Sequence, residues 1–200
     1  MAAPSRKPWR RHWPGPRRPA AFRQWLLDDG SLTARLQRRG KFSLRVVAQG
    51  LATPTADEAA LFGLGPTQQA RIREVVLSVD GTPLVFAHTV LPTQPRGPLT
   101  RWIARLGNRS LGSMLFRHPG FSRTPLLCQP IDRRGNLHRR AVEALGIAPD
   151  TTLWARRSSF AFATQRLLVT EIFSPALWSA LAAEAVTKTP QRVRTPESGA

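Results

Sequence analysis

Cysteine is almost absent from this chain, and acidic residues are scarce. Cys128 is the only thiol in 200 residues, which excludes an intramolecular disulfide and a thiolate metal cluster. It lies in a Pro-flanked LLCQP segment without a nucleophile elbow, so it reads as a buried or incidental thiol. His12, His88, His118 and His138 are scattered, with neither HxH nor HExxH spacing, so no histidine metal site is indicated. Neither a GxGxxG nor a GxxxxGK[ST] loop occurs, and nothing in the chain points to a nucleotide, a metal or any other cofactor. Long apolar runs are missing too, and none approaches the roughly 20 residues that a bilayer-spanning helix needs. The N-terminal MAAPSRKPWRRHWPGPRRP has basic residues but no apolar core, which excludes a secretory signal. The chain is therefore expected in the cytoplasm.

Twelve Asp and Glu stand against 30 Lys and Arg, a formal net charge of +18. Such an excess could neutralise phosphates. Much of it, however, lies in the Pro-rich N-terminus, in the Arg117–Arg140 stretch and after Lys188, without zinc-finger spacing, RNP-like strands or a basic zipper. No dedicated nucleic-acid partner is indicated. A weak electrostatic contact with anionic membrane surfaces remains open.

What is present is a globular composition, 42% hydrophobic and 21% charged, in a length suited to one domain with a real core. Residues 1–20 read as a disordered basic tail, 21–187 as the folded domain and 188–200 as a polar tail. The pattern predicts short helices over Phe22–Leu27 and from a Ser31 cap to a Gly40 stop. It predicts a strand over Lys41–Gly50 and a helical piece from Thr55. Arg71–Leu77 and Thr82–Leu91 are strand-like around Asp80-Gly81, a hairpin signal because glycine supplies positive φ. Helices follow over Leu99–Leu106, from Ser110 and in LHRRAVEALG, with a strand near Pro125–Ile131. Two further strands, Leu153–Phe162 and Arg166–Phe173, precede a Trp/Ala/Leu helix. Short turns between strands imply an antiparallel sheet with helices over one face, an α+β domain.

One residue breaks the apolar pattern. Glu171 stands alone in LLVTEIFSP, the most apolar strand-like run. An isolated buried carboxylate is costly unless something answers it, and Arg73, opening REVVLSVDG, is the expected internal partner. A structural ion pair without activity would satisfy the same requirement.

Taken in order, WLLDDGSLTARL, REVVLSVDGTPLVFAHTVLP, GPLTRWIARLGNRSLGSMLF, LWARRS and LLVTEIFSP resemble the chorismate lyase (chorismate pyruvate-lyase) family over about Trp25–Pro175. The resemblance implies an antiparallel sheet of about six strands, with helices forming flaps over a buried ligand pocket. It implies a lyase that removes pyruvate from chorismate to give 4-hydroxybenzoate for ubiquinone synthesis, without metal or cofactor, expected as a monomer. By the same resemblance, Arg73 would bind the ring carboxylate and the Leu111 backbone amide would help hold it. Glu171 would meet the 4-hydroxyl and act as the proton-transfer group, as base or as assistant to the departing enolpyruvyl. Leu32 would contribute a flap contact at a position where the family pattern has Met. Arg156 or Arg157 is expected at the enolpyruvyl carboxylate, although alternation along a strand lets only one of them point inward. The N-terminal Arg/Pro stretch matches no part of the family pattern. The alternatives are a non-catalytic effector-binding module of the same fold and a lyase forming 3-hydroxybenzoate.

Overall fold

A computed structural model of the chain describes residues 9–11 and 20–187. The elements run α1 (Ala20–Leu26), α2 (Leu32–Gln37), β1 (Phe42–Ala52), α3 (Ala56–Phe62), β2 (Ala70–Val79), β3 (Thr82–Pro92), α4 (Pro98–Ala104) and α5 (Leu111–Arg117). They continue with β4 (Ser122–Arg123), β5 (Leu127–Pro130), α6 (Asn136–Leu145), β6 (Trp154–Phe162), β7 (Gln165–Phe173) and α7 (Pro175–Thr187). All pairings are antiparallel, in the order β1-β2-β3-β7-β6-β4, with β5 also on β6. The α+β expectation holds. Among the described residues the sheet has seven strands in six positions, because β4 and β5 share the outer edge of β6. Pro125 lies between them and has no N–H to donate to a ladder, which divides that edge strand.

Local chemistry explains most of the boundaries. Asp80 (φ 50°) and Gly81 (φ 78°) form the β2–β3 turn, the positive-φ geometry of a two-residue hairpin. The Ser31 side chain caps α2 by accepting from Ala34 N at 3.3 Å. That helix ends at Arg38, two residues before the glycine expected to stop it. Glu58 accepts from Thr55 N at 2.8 Å at the start of α3.

Alternate strand residues face opposite ways, and both faces are covered rather than the one expected. On the front face Val75, Leu77, Val85, Ala87 and Phe173 pack against Trp25 and Leu26 of α1, Leu32 and Leu36 of α2 and Leu177 of α7. Farther along the same face, Leu99 and Ile103 of α4 and Leu111 and Leu115 of α5 cover Leu91, Phe160 and Leu167. On the back face Val76, Phe86, Ala155 and Ile172 meet Ala141, Val142 and Leu145 of α6. Each fully buried large apolar side chain contributes roughly 1.5–3 kcal/mol, so neither layer is dispensable. The 117–152 stretch thus supplies the outer edge and the back-face helix.

The back face also holds a buried ionic cluster. His88 Nδ1 lies 2.7 Å from Glu74 and Nε2 lies 3.2 Å from Glu58, while Arg140 reaches the other Glu74 oxygen at 2.7 Å. Burial pushes the His88 imidazole down, but hydrogen bonds and charge from Glu58 and Glu74 outweigh it and push it up to about 9.

Part of the expected N-terminal tail is docked on the domain. Arg10 pairs with Cys128 through two backbone hydrogen bonds of 3.2 and 2.8 Å, covering the free edge of β5. The Trp9 indole donates to Asp57 at 3.2 Å, and the Arg157 guanidinium lies 4.1 Å from its ring centroid. An apolar indole anchored between a carboxylate and a cation holds a segment that composition alone makes look unstructured. Residues 1–8, 12–19 and the polar tail 188–200 lie outside the described residues.

Candidate active site

Between the two front-face packing clusters the sheet is not filled by side chains, leaving a small cavity of about 50 Å³ that opens to solvent. Its floor carries Arg73 and Val75 of β2, Ala87 and Thr89 of β3, Val169 and Glu171 of β7 and Ser158 of β6. Its roof is made by the first residues of α2 and α5. Leu32 and Leu111 are the first residues of these helices, where backbone N–H groups have no intrahelical acceptor. Thr33 and Ser110 join the two helices through a hydroxyl–hydroxyl hydrogen bond of 2.6 Å. A side chain at Gly112 would put a Cβ 3.1 Å from the Thr33 hydroxyl, so glycine there lets the two helices approach.

Four residues singled out in the sequence, Arg73, Leu111, Glu171 and Leu32, therefore line one cavity. The partner expected for Glu171 is corrected. Arg73 sits on β2, with β3 between it and β7, whereas Arg156 is the cross-strand neighbour of Glu171. The Arg156 Nε donates to Glu171 Oε2 at 2.5 Å. Its Nη1 donates to the Trp25 and Asp28 carbonyls at 2.9 and 2.7 Å. Arg156 is 1% exposed and Glu171 17%, so the carboxylate lies at the edge of the cavity rather than fully inside the core. Oε2 takes this bond, and no hydrogen bond to Oε1 is found among the described residues.

Arg73 is held independently. It donates through Nη1 to Gln49, its register partner on β1. Its Nη2 donates to the Gly107 and Arg109 carbonyls at 2.7 and 3.3 Å. Three of its five N–H groups are thus used in orientation and two remain. Burial pushes its guanidinium down from the usual value, and no carboxylate pairs with it among the described residues.

The two arginines expected at a second carboxylate fall elsewhere. Arg156 shares the face of Glu171 but is spent on it. Arg157 points to the back face and pairs with Asp57 at 2.7 Å. Neither is among the residues lining the cavity; Arg123 of β4 is. Sequence reasoning missed Arg123 because a two-residue strand in FSRTP carries no periodic signal. It also missed Thr33–Ser110, a contact between residues 77 positions apart.

Several known proteins are similar to this chain. The chorismate lyase family model matches residues 3–183, so the match includes the Arg/Pro stretch for which the sequence suggested no counterpart. A probable chorismate pyruvate-lyase of Dechloromonas aromatica (strain RCB) is 46% identical over 173 residues, covering 86% of this chain and 97% of that protein. A second, from Aromatoleum aromaticum, is 45% identical over 179 residues, covering 87% and 95%. Among solved structures, PhnF from Mycobacterium smegmatis aligns with a TM-score of 0.55 at 17% identity, over 74% of this chain and 64% of that one. The C-terminal domain of the histidine utilization repressor from Pseudomonas syringae pv. tomato aligns at 0.52 and 9% identity, over 68% and 93%. At such identities the likeness concerns the fold alone. No helix among the described residues is long and apolar enough to cross a membrane. With the family model spanning most of its length and relatives above 40% identity, this chain belongs to the chorismate lyase family.

Proposed function

We propose that the cavity is the active site of a lyase that removes pyruvate from chorismate and releases 4-hydroxybenzoate, the aromatic precursor of ubiquinone. The observation that carries this reading is the placement of Arg73 and Glu171 on one sheet face under the joined ends of α2 and α5. A planar guanidinium suits a carboxylate. In chorismate the ring carboxylate on C1 lies across the ring from the hydroxyl on C4. Arg73 holds the C1 carboxylate with help from the Leu111 amide, Leu32 and its helix close the roof, and Glu171 meets the 4-hydroxyl.

The chemistry asks little more. The C3–O ether bond breaks and its electron pair leaves with the enolpyruvyl oxygen. The C4 proton departs and its bonding electrons complete the aromatic ring. The enolpyruvate then takes a proton and becomes pyruvate. Aromatisation drives the reaction, so the protein orients the substrate and moves one proton. Glu171, with Oε2 fixed by Arg156, is the carboxylate beside C4 for that transfer. No step calls for a metal or organic cofactor.

The test is incubation of the purified protein with chorismate, with pyruvate measured enzymatically and the aromatic product identified by chromatography. Equal amounts of pyruvate and 4-hydroxybenzoate, unaffected by EDTA, are expected. Release of 3-hydroxybenzoate would change the product assignment. Chorismate binding without pyruvate release would move the chain to a binding module.

A further inference from the structure

The cavity wall contains two guanidinium groups without a carboxylate partner among the described residues. One is Arg73. The other is Arg123, at the opposite edge of the sheet, with β3, β7 and β6 between their strands. Arg123 Nε donates to Ser158 Oγ at 2.9 Å and Nη1 to the Asp29 carbonyl at 2.6 Å. Its guanidinium carbon lies 5.2 Å from the ring centroids of both Phe116 and Phe160. Three of its five N–H groups, both on Nη2 among them, make none of these contacts. Burial pushes its guanidinium down, and the Glu171 carboxylate is the largest charge acting in the other direction. Arg123 pairs with β6 and bonds Ser158 on it, two residues along from Arg156, the cross-strand neighbour of Glu171, so it sits at the Glu171 end of the cavity. The neighbouring cation there, Arg156, is paired with Glu171, whereas Arg123 makes no salt bridge with a carboxylate among the described residues.

Resting on the reading of the cavity as a chorismate site, we infer that Arg123 binds the enolpyruvyl carboxylate of the substrate. Chorismate carries two carboxylates, and the cavity offers two unpaired guanidinium groups. The enolpyruvyl ether is on C3, next to the C4 hydroxyl assigned to Glu171 and away from the C1 carboxylate assigned to Arg73. Its carboxylate thus falls at the end of the cavity that Arg123 occupies. The Nε and Nη1 contacts fix the plane of the guanidinium in advance, so little side-chain freedom is lost when a ligand binds. The buried Phe160 ring and the more exposed Phe116 ring flank that guanidinium, and a charge-assisted bond from it to a carboxylate is stronger than a neutral one.

This assignment makes Arg123 a residue that distinguishes substrate from product, because 4-hydroxybenzoate has lost the second carboxylate. Arg123→Gln is expected to raise KM for chorismate by about 10–100-fold, the equivalent of one lost charge-assisted hydrogen bond. The Kd for 4-hydroxybenzoate, measured by calorimetry, should stay within about twofold of the parent, on the scale where 1.4 kcal/mol is tenfold. Arg123→Lys keeps the charge without the fork and is expected to fall between the two in KM, again with product affinity unchanged. A purely structural role, tethering Asp29 and Ser158, would instead move substrate KM, product Kd and Tm together, and that pattern overturns the assignment. An unchanged KM overturns it as well. Should Arg123→Gln not fold, the KM and product Kd of Arg123→Lys decide the question by the same criteria. A parent protein that releases no pyruvate from chorismate would refute the reading of the site itself, a result separate from either variant.

Discussion

Replacing Glu171 with Gln tests catalysis and architecture at once, because two tasks fall to the carboxylate. It is the counter-ion of Arg156 and, in the proposed reaction, the proton-transfer group at the cavity edge. Breaking a fully buried ion pair by removing one partner costs about 3–5 kcal/mol. Two features reduce that figure here. Glu171 is 17% exposed, and the amide oxygen of Gln can still accept from Arg156 Nε. A loss of roughly 1–3 kcal/mol is expected, which lowers Tm by about 3–10 °C for a chain of this size. Starting from a stability of even ~5 kcal/mol, a 3 kcal/mol loss leaves only about 4% of the protein unfolded by the rule of 1.4 kcal/mol per factor of ten. Instability therefore removes almost none of the activity at 25 °C. The loss of a positioned proton-transfer group removes about 10²–10⁴-fold. Turnover, 4-hydroxybenzoate affinity and Tm should be measured on one preparation. Turnover down at least a hundredfold, a few degrees off Tm and binding retained is the expected set. Turnover within threefold of the parent would refute the assignment of Glu171, whatever happened to Tm.

Arg73→Ala should weaken 4-hydroxybenzoate binding by about 30-fold or more, since losing one partner of a desolvated carboxylate pair costs about 2–5 kcal/mol. Arg73→Lys should recover part of this by calorimetry, and parental affinity in the Ala variant would exclude the role. The His88 cluster predicts a pH dependence of stability. Its folded-state value of about 9 lies above the ordinary 6.5, so its contribution is complete below pH 6.5 and is lost as pH rises through about 9. Linkage over that shift is worth roughly 3 kcal/mol. Urea midpoints should fall between pH 6.5 and 9.5 in the parent and lose most of that slope in His88→Gln; equal slopes would refute it. A chain starting at Ala21 loses the Trp9 anchor, a hydrogen bond and a cation–π contact worth together about 1–3 kcal/mol. Its Tm should drop by several degrees with kcat unchanged. An unchanged Tm would show the anchor to be idle, and lost turnover in a folded protein would place it in the site.

Much of the architecture could be read residue by residue. Asp80-Gly81 marks a hairpin because two consecutive positive φ angles need such residues, and Ser31 marks a helix start because its hydroxyl satisfies an orphan N–H. The apolar β2, β3 and β7 runs show their strands through composition alone, and Glu171 shows as an anomaly because a lone carboxylate conflicts with its apolar neighbours. Motif order brought Arg73, Leu32 and Leu111 into the same list. All of these signals are local, carried by residues within a few positions of each other. The charge pairing was not local. Arg156 rather than Arg73 neutralises Glu171 because register sets them opposite each other across 15 residues, while β3 separates Arg73 from β7. Arg156 and Arg157, adjacent in sequence, were sent to opposite faces by the pleat, one to Glu171 and the other to Asp57 and Trp9. Arg123, the Thr33–Ser110 bond and the His88 cluster likewise join residues far apart in the chain. Sequence alone determined which side chains were available and which elements would carry them. Which charges met, and which stayed unpaired, depended on strand order and register, because Coulomb and hydrogen-bond energies depend on distance in space and not along the chain.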